Sequence, residues 1–185
     1  MLSTSGLTGL STLEEARRVL LEDALRAAPL LSPAEGPIID VGSGGGSPGI
    51  PLAVALPERM FTLLEANRRK CDFLDVMRAE LPNIEVVWGR AEEQQPIDAF
   101  GVALAKALAK PPVAAELCLP LVRPGGIAIL WVGETAEMDS VKHVAGCLAS
   151  CVEEGPEGLL VLRKLSPTPP GFPRRPGMAK KRPLA

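Results

Sequence analysis

Five glycines, Gly42, Gly44, Gly45, Gly46 and Gly49, crowd the turn that follows Asp40 and Val41, with Ser43 and Ser47 among them. Glycine lets a backbone bend sharply and approach a ligand closely, and a helix opening after such a turn offers free N–H groups. The chemistry implied is capture of a small polar molecule by main-chain groups. A dinucleotide fingerprint counted from Gly42 needs a third glycine where Ser47 stands, and no lysine follows in the turn as a Walker-A loop requires. What stands is G-x-G-x-G (Gly42, Gly44, Gly46) behind Asp40. A glycine-rich strand–helix turn of any α/β protein is the plainer explanation.

The pattern resembles motif I of the S-adenosylmethionine (SAM)-dependent methyltransferases, and two further segments fit that resemblance. Glu65 lies 25 residues beyond Asp40 at the end of an apolar run. An acid there can accept from both hydroxyls of a ribose, or can simply sit at a helix N-terminus favoured by the dipole. Ala91-Glu92 follows the next apolar run, where an adenine ring would meet a backbone N–H and a carboxylate; Glu92 as a helix-capping acid is the alternative. Methyl transfer to a ring nitrogen without a proton needs no general base, so no catalytic side chain is assigned. His143, the only histidine, is incidental, and with no C-x-x-C among Cys71, Cys118, Cys147 and Cys151 no metal site is expected.

These residues need a scaffold. Ile38–Val41, Met60–Leu64, Ile84–Trp88, Phe100–Leu104 and Ile127–Val132 read as strands, with a late candidate at Leu159–Leu162. Helices are predicted after the glycine turn, over Arg68–Leu81, from Pro111-Pro112, and from Met138 to Val152, the last placing Cys147 and Cys151 on one face. Thr12-x-x-Glu15 forms a capping box, opening one amphipathic helix to about Ala28; Pro29, Pro33, Gly36 and Pro37 then lead into the first strand. Residues 1–11 are small, polar and expected to be mobile. Alternation of strands and helices predicts a doubly wound, mainly parallel α/β sheet of the Rossmann-like class I SAM-dependent methyltransferase kind. Ligands of such sheets bind beyond the carboxyl ends of the strands, the edge shared by the glycine turn, Glu65, Ala91-Glu92 and Lys106.

At 185 residues a single core is the default, and three parts are expected: a helical segment over 1–36, a SAM-binding domain over 37–165 and a Pro/Arg-rich basic tail over 166–185. Residues 1–165 carry a net charge of −7, while the tail holds five basic groups and no acid. Arg174, Arg175, Lys180, Lys181 and Arg182, set among prolines, suit an irregular segment extended over the surface that contacts phosphates. A solubilising tail, or one pinned to the sheet by Phe172 and Leu184, is the alternative. With no signal peptide and no membrane span, a cytoplasmic, disulfide-free monomer is expected.

Four segments together resemble the RsmG (GidB) family. They are Asp40–Gly44 with Pro48–Leu52, Gly89–Glu93, Leu119–Leu121 before Pro124-Gly125-Gly126, and Phe172–Gly177 with Lys181–Leu184. The resemblance runs from about Pro37 to the C-terminus. It implies SAM-dependent methylation of N7 of a guanine in 16S ribosomal RNA, with Gly42, Ser47, Ala91 and Glu92 touching SAM; the residues themselves add Asp40, Gly44, Gly46, Glu65 and Lys106 to the expected cofactor site. Lys106, Arg174 and Arg175 would face RNA. The chain departs from the family where Ala105-Lys106-Ala107 replaces Ser-Arg-Ala, where Val132 replaces a lysine, where Ser47 replaces a larger apolar residue, and in a shorter N-terminal helical segment. Lysine keeps the charge of arginine but not its bidentate fork. A small-molecule or protein methyltransferase, or a SAM-binding RNA-associated protein without turnover, stays open as an alternative.

Overall fold

The computed structural model describes residues 12–133 and 137–185; the mobility expected of residues 1–11 falls outside them. Seven strands form one sheet in the order β3-β2-β1-β4-β5-β7-β6. They are β1 (Ile38–Val41), β2 (Phe61–Glu65), β3 (Ile84–Trp88), β4 (Phe100–Ala105), β5 (Val122–Trp131), β6 (Ser150–Glu153) and β7 (Leu159–Lys164). The first five run parallel, and β7 inserts antiparallel between β5 and β6. β1 and β4 are buried at every residue, as strands covered on both faces must be, which is why their sequences are nearly unbroken apolar runs.

One face is covered by α3 (Ala28–Leu31), α4 (Gly49–Ala55) and α5 (Arg68–Arg78), through Leu31, Leu52, Ala53 and Leu74. The other is covered by α6 (Pro111–Cys118) and α7 (Met138–Cys147), through Ala114, Cys118, Val141 and Val144, with Phe172 and Leu184 of the tail joining them. Burial raises the thiol pKa of Cys118 inside this layer. Among the described residues no helix is long and apolar enough to cross a membrane.

Several local expectations are corrected. Thr12 Oγ1 does accept from the Glu15 N–H at 3.1 Å. The helix it opens, however, is α1 (Leu13–Ala16), widening to a π-helical turn over Arg17–Glu22 before α2 (Asp23–Leu25). Pro29 sits inside α3 rather than in a linker, which a first helical turn tolerates because an N–H at that position would have no intrahelical acceptor to lose. The helix from Met138 stops at Cys147, the chain turns at Ala149 (φ +51°), and Cys151 falls on β6, where pairing with β7 overrides helical periodicity. Pro124-Gly125-Gly126 lies within β5 rather than before it. The tail is not irregular throughout: α8 (Met178–Lys181) follows Gly177.

Lys164 fixes where the tail begins. Its side chain has no exposed surface, and Nζ donates to Leu119 O at 2.9 Å and Thr168 Oγ1 at 2.7 Å, with Asp98 Oδ1 3.4 Å away. Asp98 in turn accepts from the Thr168 N–H and hydroxyl. Burial lowers the Lys164 pKa, opposed by the Asp98 charge.

Candidate cofactor cleft

At the carboxyl ends of β1, β2 and β3 the chain leaves the sheet in three directions, and a cleft of about 530 Å³ opens between them. That volume lies within the range of small-molecule sites. Val41 and Gly42 come from β1, Leu64 and Glu65 from β2, and Ala91 and Glu92 from the turn after β3; Leu108 and Val113 close the β4 side. Four of the sequence-selected residues, Gly42, Glu65, Ala91 and Glu92, thus share one cavity.

Glu65 is 8% exposed and held from two sides. Oε2 accepts from the Gly44 N–H at 2.8 Å and Oε1 from the Asn67 N–H at 2.7 Å. Each carboxylate oxygen has capacity for a second donor, so the pair of hydroxyls of a ribose still fits. Gly44 can point its N–H there because its φ of +58° is open to glycine. At Gly46, φ is +95°, which favours glycine, and a Cβ would stand 2.3 Å from Ile50 Cδ1, so that side chain would have to shift.

Beneath the turn, Asp40 is fully buried. Oδ2 accepts from the Gly49 N–H at 3.1 Å, while Oδ1 has no hydrogen-bond partner. Burial pushes its carboxyl pKa up to about 7, against the lowering effect of the Gly49 N–H. Asp40 therefore supports the glycine turn from below and does not line the cleft.

Glu92 and its neighbour Ala91 open a short 3₁₀ turn, Ala91–Glu93, at the far wall. Glu92 Oε1 accepts from the Gly177 N–H at 2.8 Å, which ties the tail to the cleft and leaves Oε2 for another donor. Gly177, Ala179, Lys180 and Lys181 accordingly form a wall of the cavity. No local sequence pattern marks them as such; the bond joins residues 85 apart.

The other selected residues are engaged elsewhere. Ser47 Oγ donates to Leu20 O at 2.9 Å. Lys106 Nζ lies 2.7 Å from Asp23 Oδ2 and donates to Val19 O, with its side chain 12% exposed. Both hold the N-terminal segment, although Ala107, just beyond Lys106, does line the cleft. Arg174 is not held off the domain. It forms a bidentate pair with Glu116, 4% exposed, both bonds at 2.6 Å, and donates to Arg182 O. Nε and Nη2 of its guanidinium are thus engaged within the fold. Arg175 is exposed.

A glycine turn, a backbone-held carboxylate and a short 3₁₀ turn meet on one cleft that suits a small polar ligand. Comparison with known proteins agrees. A family described as GidB, rRNA small subunit methyltransferase G, matches residues 3–155. The ribosomal RNA small subunit methyltransferase G of Synechococcus sp. (strain JA-2-3B'a(2-13)) is 38% identical over 164 residues, 79% of this chain and 63% of that protein. Its counterpart in Dictyoglomus thermophilum is 33% identical over 195 residues, 95% of this chain and 81% of that protein. The chain thus spans less than two thirds of the first relative and about four fifths of the second.

Among solved structures, M. jannaschii TYW2 in complex with AdoMet has a TM-score of 0.60 at 15% identity, covering 76% of this chain and 71% of that one. A SAM-dependent O-methyltransferase from Thermotoga maritima has a TM-score of 0.60 at 15% identity, covering 80% and 66%. These two likenesses are of fold, the Rossmann-like fold of class I SAM-dependent methyltransferases. Matched over most of its length, the chain belongs to the GidB family, described as rRNA small subunit methyltransferase G.

Proposed function

We propose that this chain methylates N7 of a guanine in 16S ribosomal RNA, with SAM as methyl donor. The observation that carries the reading is Glu65, fixed at the cleft wall by two backbone N–H groups with acceptor capacity left on both oxygens. In this reading Glu65 takes the ribose hydroxyls, Ala91 and Glu92 meet the adenine edge, and Gly42 and Gly44 hold the amino-acid arm through their backbone. SAM, when bound, supplies a methyl group activated by its sulfonium.

The acceptor nitrogen brings its own lone pair, so the chain has no proton to remove. Its task is to align donor and acceptor and to exclude water, and alignment alone supplies a large part of such a rate enhancement. Apolar Val41, Leu64, Leu108, Val113 and Leu117 around the cavity suit the second task. Lys106 serves here by holding the N-terminal segment over the β4 edge. Arg175 and the lip residues Lys180 and Lys181 meet RNA phosphates. In this reading 1–36, 37–165 and 166–185 act as three parts around one site.

The test is transfer of tritium from methyl-labelled SAM to ribosomal small subunits, to naked ribosomal RNA and to a panel of small metabolites. Label in 16S RNA, mapped to N7 of one guanine, is expected. Glu65→Ala should weaken SAM binding by about 1–3 kcal/mol in calorimetry. Label in a metabolite or protein, with none in RNA, would overturn the substrate assignment.

A further inference from the structure

Trp88 is not used by the cofactor site, yet its placement is specific. It ends the edge strand β3, in register with Glu65 on β2. It is 60% exposed. The ring is nevertheless fixed: Nε1 donates to Ala66 O at 3.1 Å, and the Arg68 guanidinium stands 5.2 Å from the ring centroid. Beside it lies a groove of about 340 Å³ lined by Ala66, Trp88, Gly89, Arg90 and Glu93. Ala66, Gly89 and Arg90 also line the cofactor cleft, so the groove runs up to its rim.

Four cations gather around the groove and the adjoining cleft wall. Arg68, Arg69 and Arg90 are exposed and Lys70 is half-buried on the cleft wall. Acids stand among them: Asp72, which pairs with Arg68 at 3.1 Å, Glu93 in the groove itself, and Glu65 and Glu92 on the cleft wall. Among the described residues no ion pair engages Arg69, Lys70 or Arg90. A solvent-facing indole held by a hydrogen bond and a cation–π contact, with Arg90 outside any ion pair beside it, has the composition of a stacking platform for single-stranded nucleic acid.

We propose that Trp88, flanked by Arg68 and Arg90, stacks an unpaired base of the substrate RNA next to the nucleotide presented to the cleft. The proposal rests on the RNA-methylating function proposed above and adds the place where the strand is held. Every base has a π-face, so the stacking positions the strand without reading its sequence; Arg90 meets the adjoining phosphate.

The test uses the full chain and a fluorescein-labelled single-stranded oligoribonucleotide, read by anisotropy. Trp88→Ala should lose about 5- to 100-fold in affinity, while Trp88→Phe, which keeps a ring, stays within about threefold of the parent. SAM affinity should be unchanged in both, because Trp88 does not line the cleft. Arg90→Ala should bind more weakly and flatten the log affinity–log salt slope by about 0.7. RNA should quench indole emission in the parent but not in Trp88→Phe, where Trp131 is the one tryptophan left. Parental RNA affinity in Trp88→Ala overturns the platform, as does quenching that persists in Trp88→Phe. Binding that depends on Trp88 without methyl transfer to any RNA supports the platform and overturns the methylation reading. A parent chain that binds no RNA overturns both.

Discussion

At the residue scale, Asp40 shows what the glycine turn costs to hold. A carboxylate with no exposed surface and one oxygen unpartnered is disfavoured as an anion, which is why its pKa rises to about 7. Between the ordinary aspartate value of 3.8 and that value, the folded chain keeps a proton that the unfolded chain releases. Its contribution to stability is therefore largest below pH 4 and declines as pH rises to 7, by at most about 1.4 kcal/mol per unit. Above pH 7 the decline ends, because both states are then ionised. Urea unfolding of the parent and of Asp40→Asn between pH 4 and 8 should differ by this sloping segment. Parallel curves across that range would show that Asp40 is ionised throughout.

Among the elements, side-chain bonds hold two segments outside the sheet, and one of them, the tail, forms a wall of the cleft. The π-helical turn and α2 are held by Lys106 and Ser47, and the tail is held by Arg174, Lys164 and Glu92. Arg174 is the tail's main anchor, since its partner Glu116 lies on α6 with 4% exposure. Removing the arginine leaves that carboxylate buried and unpaired, a loss of about 3–5 kcal/mol. Arg174→Ala should therefore lower stability by that order in urea unfolding and weaken SAM binding, as the wall from Gly177 to Lys181 loosens. Arg175→Ala, one residue away and exposed, should stay within about 0.5 kcal/mol of the parent. Equal effects from the two substitutions would count against the anchoring role.

For the whole molecule, the question is how an acidic protein meets a polyanion. Residues 1–165 carry −7, so long-range approach of RNA is unfavourable unless cations are focused at the site. The structure focuses them at the cleft mouth, with Lys70 and Arg90 on one side and Lys180 and Lys181 on the other. Combined Lys180→Ala and Lys181→Ala should weaken RNA binding and flatten its salt slope by about 0.7 to 0.9 for each phosphate left without its cation. Both side chains are exposed, so the unfolding midpoint should stay near that of the parent. An unchanged salt slope would place the RNA elsewhere on the surface.

What the sequence determined by itself was local in physical origin. Ile38–Val41 and Ile84–Trp88 form strands over the stretches their apolar β-branched runs mark, and the glycine turn after β1 follows from positions that only glycine occupies comfortably. The doubly wound sheet followed from the alternation of such elements, and with it the edge on which Glu65, Ala91 and Glu92 meet. Tertiary structure decided what local signals do not encode. Ser150–Glu153 became a strand because β7 offers it hydrogen bonds, although its spacing continues that of the preceding helix. Arg174 reads as a free cation in a proline-rich tail, yet Glu116, 58 residues away, takes up its charge. Lys106 likewise meets Asp23 across the molecule. Each of these outcomes joins groups far apart in the chain, because a buried polar group must find a partner and only the folded chain brings that partner within reach.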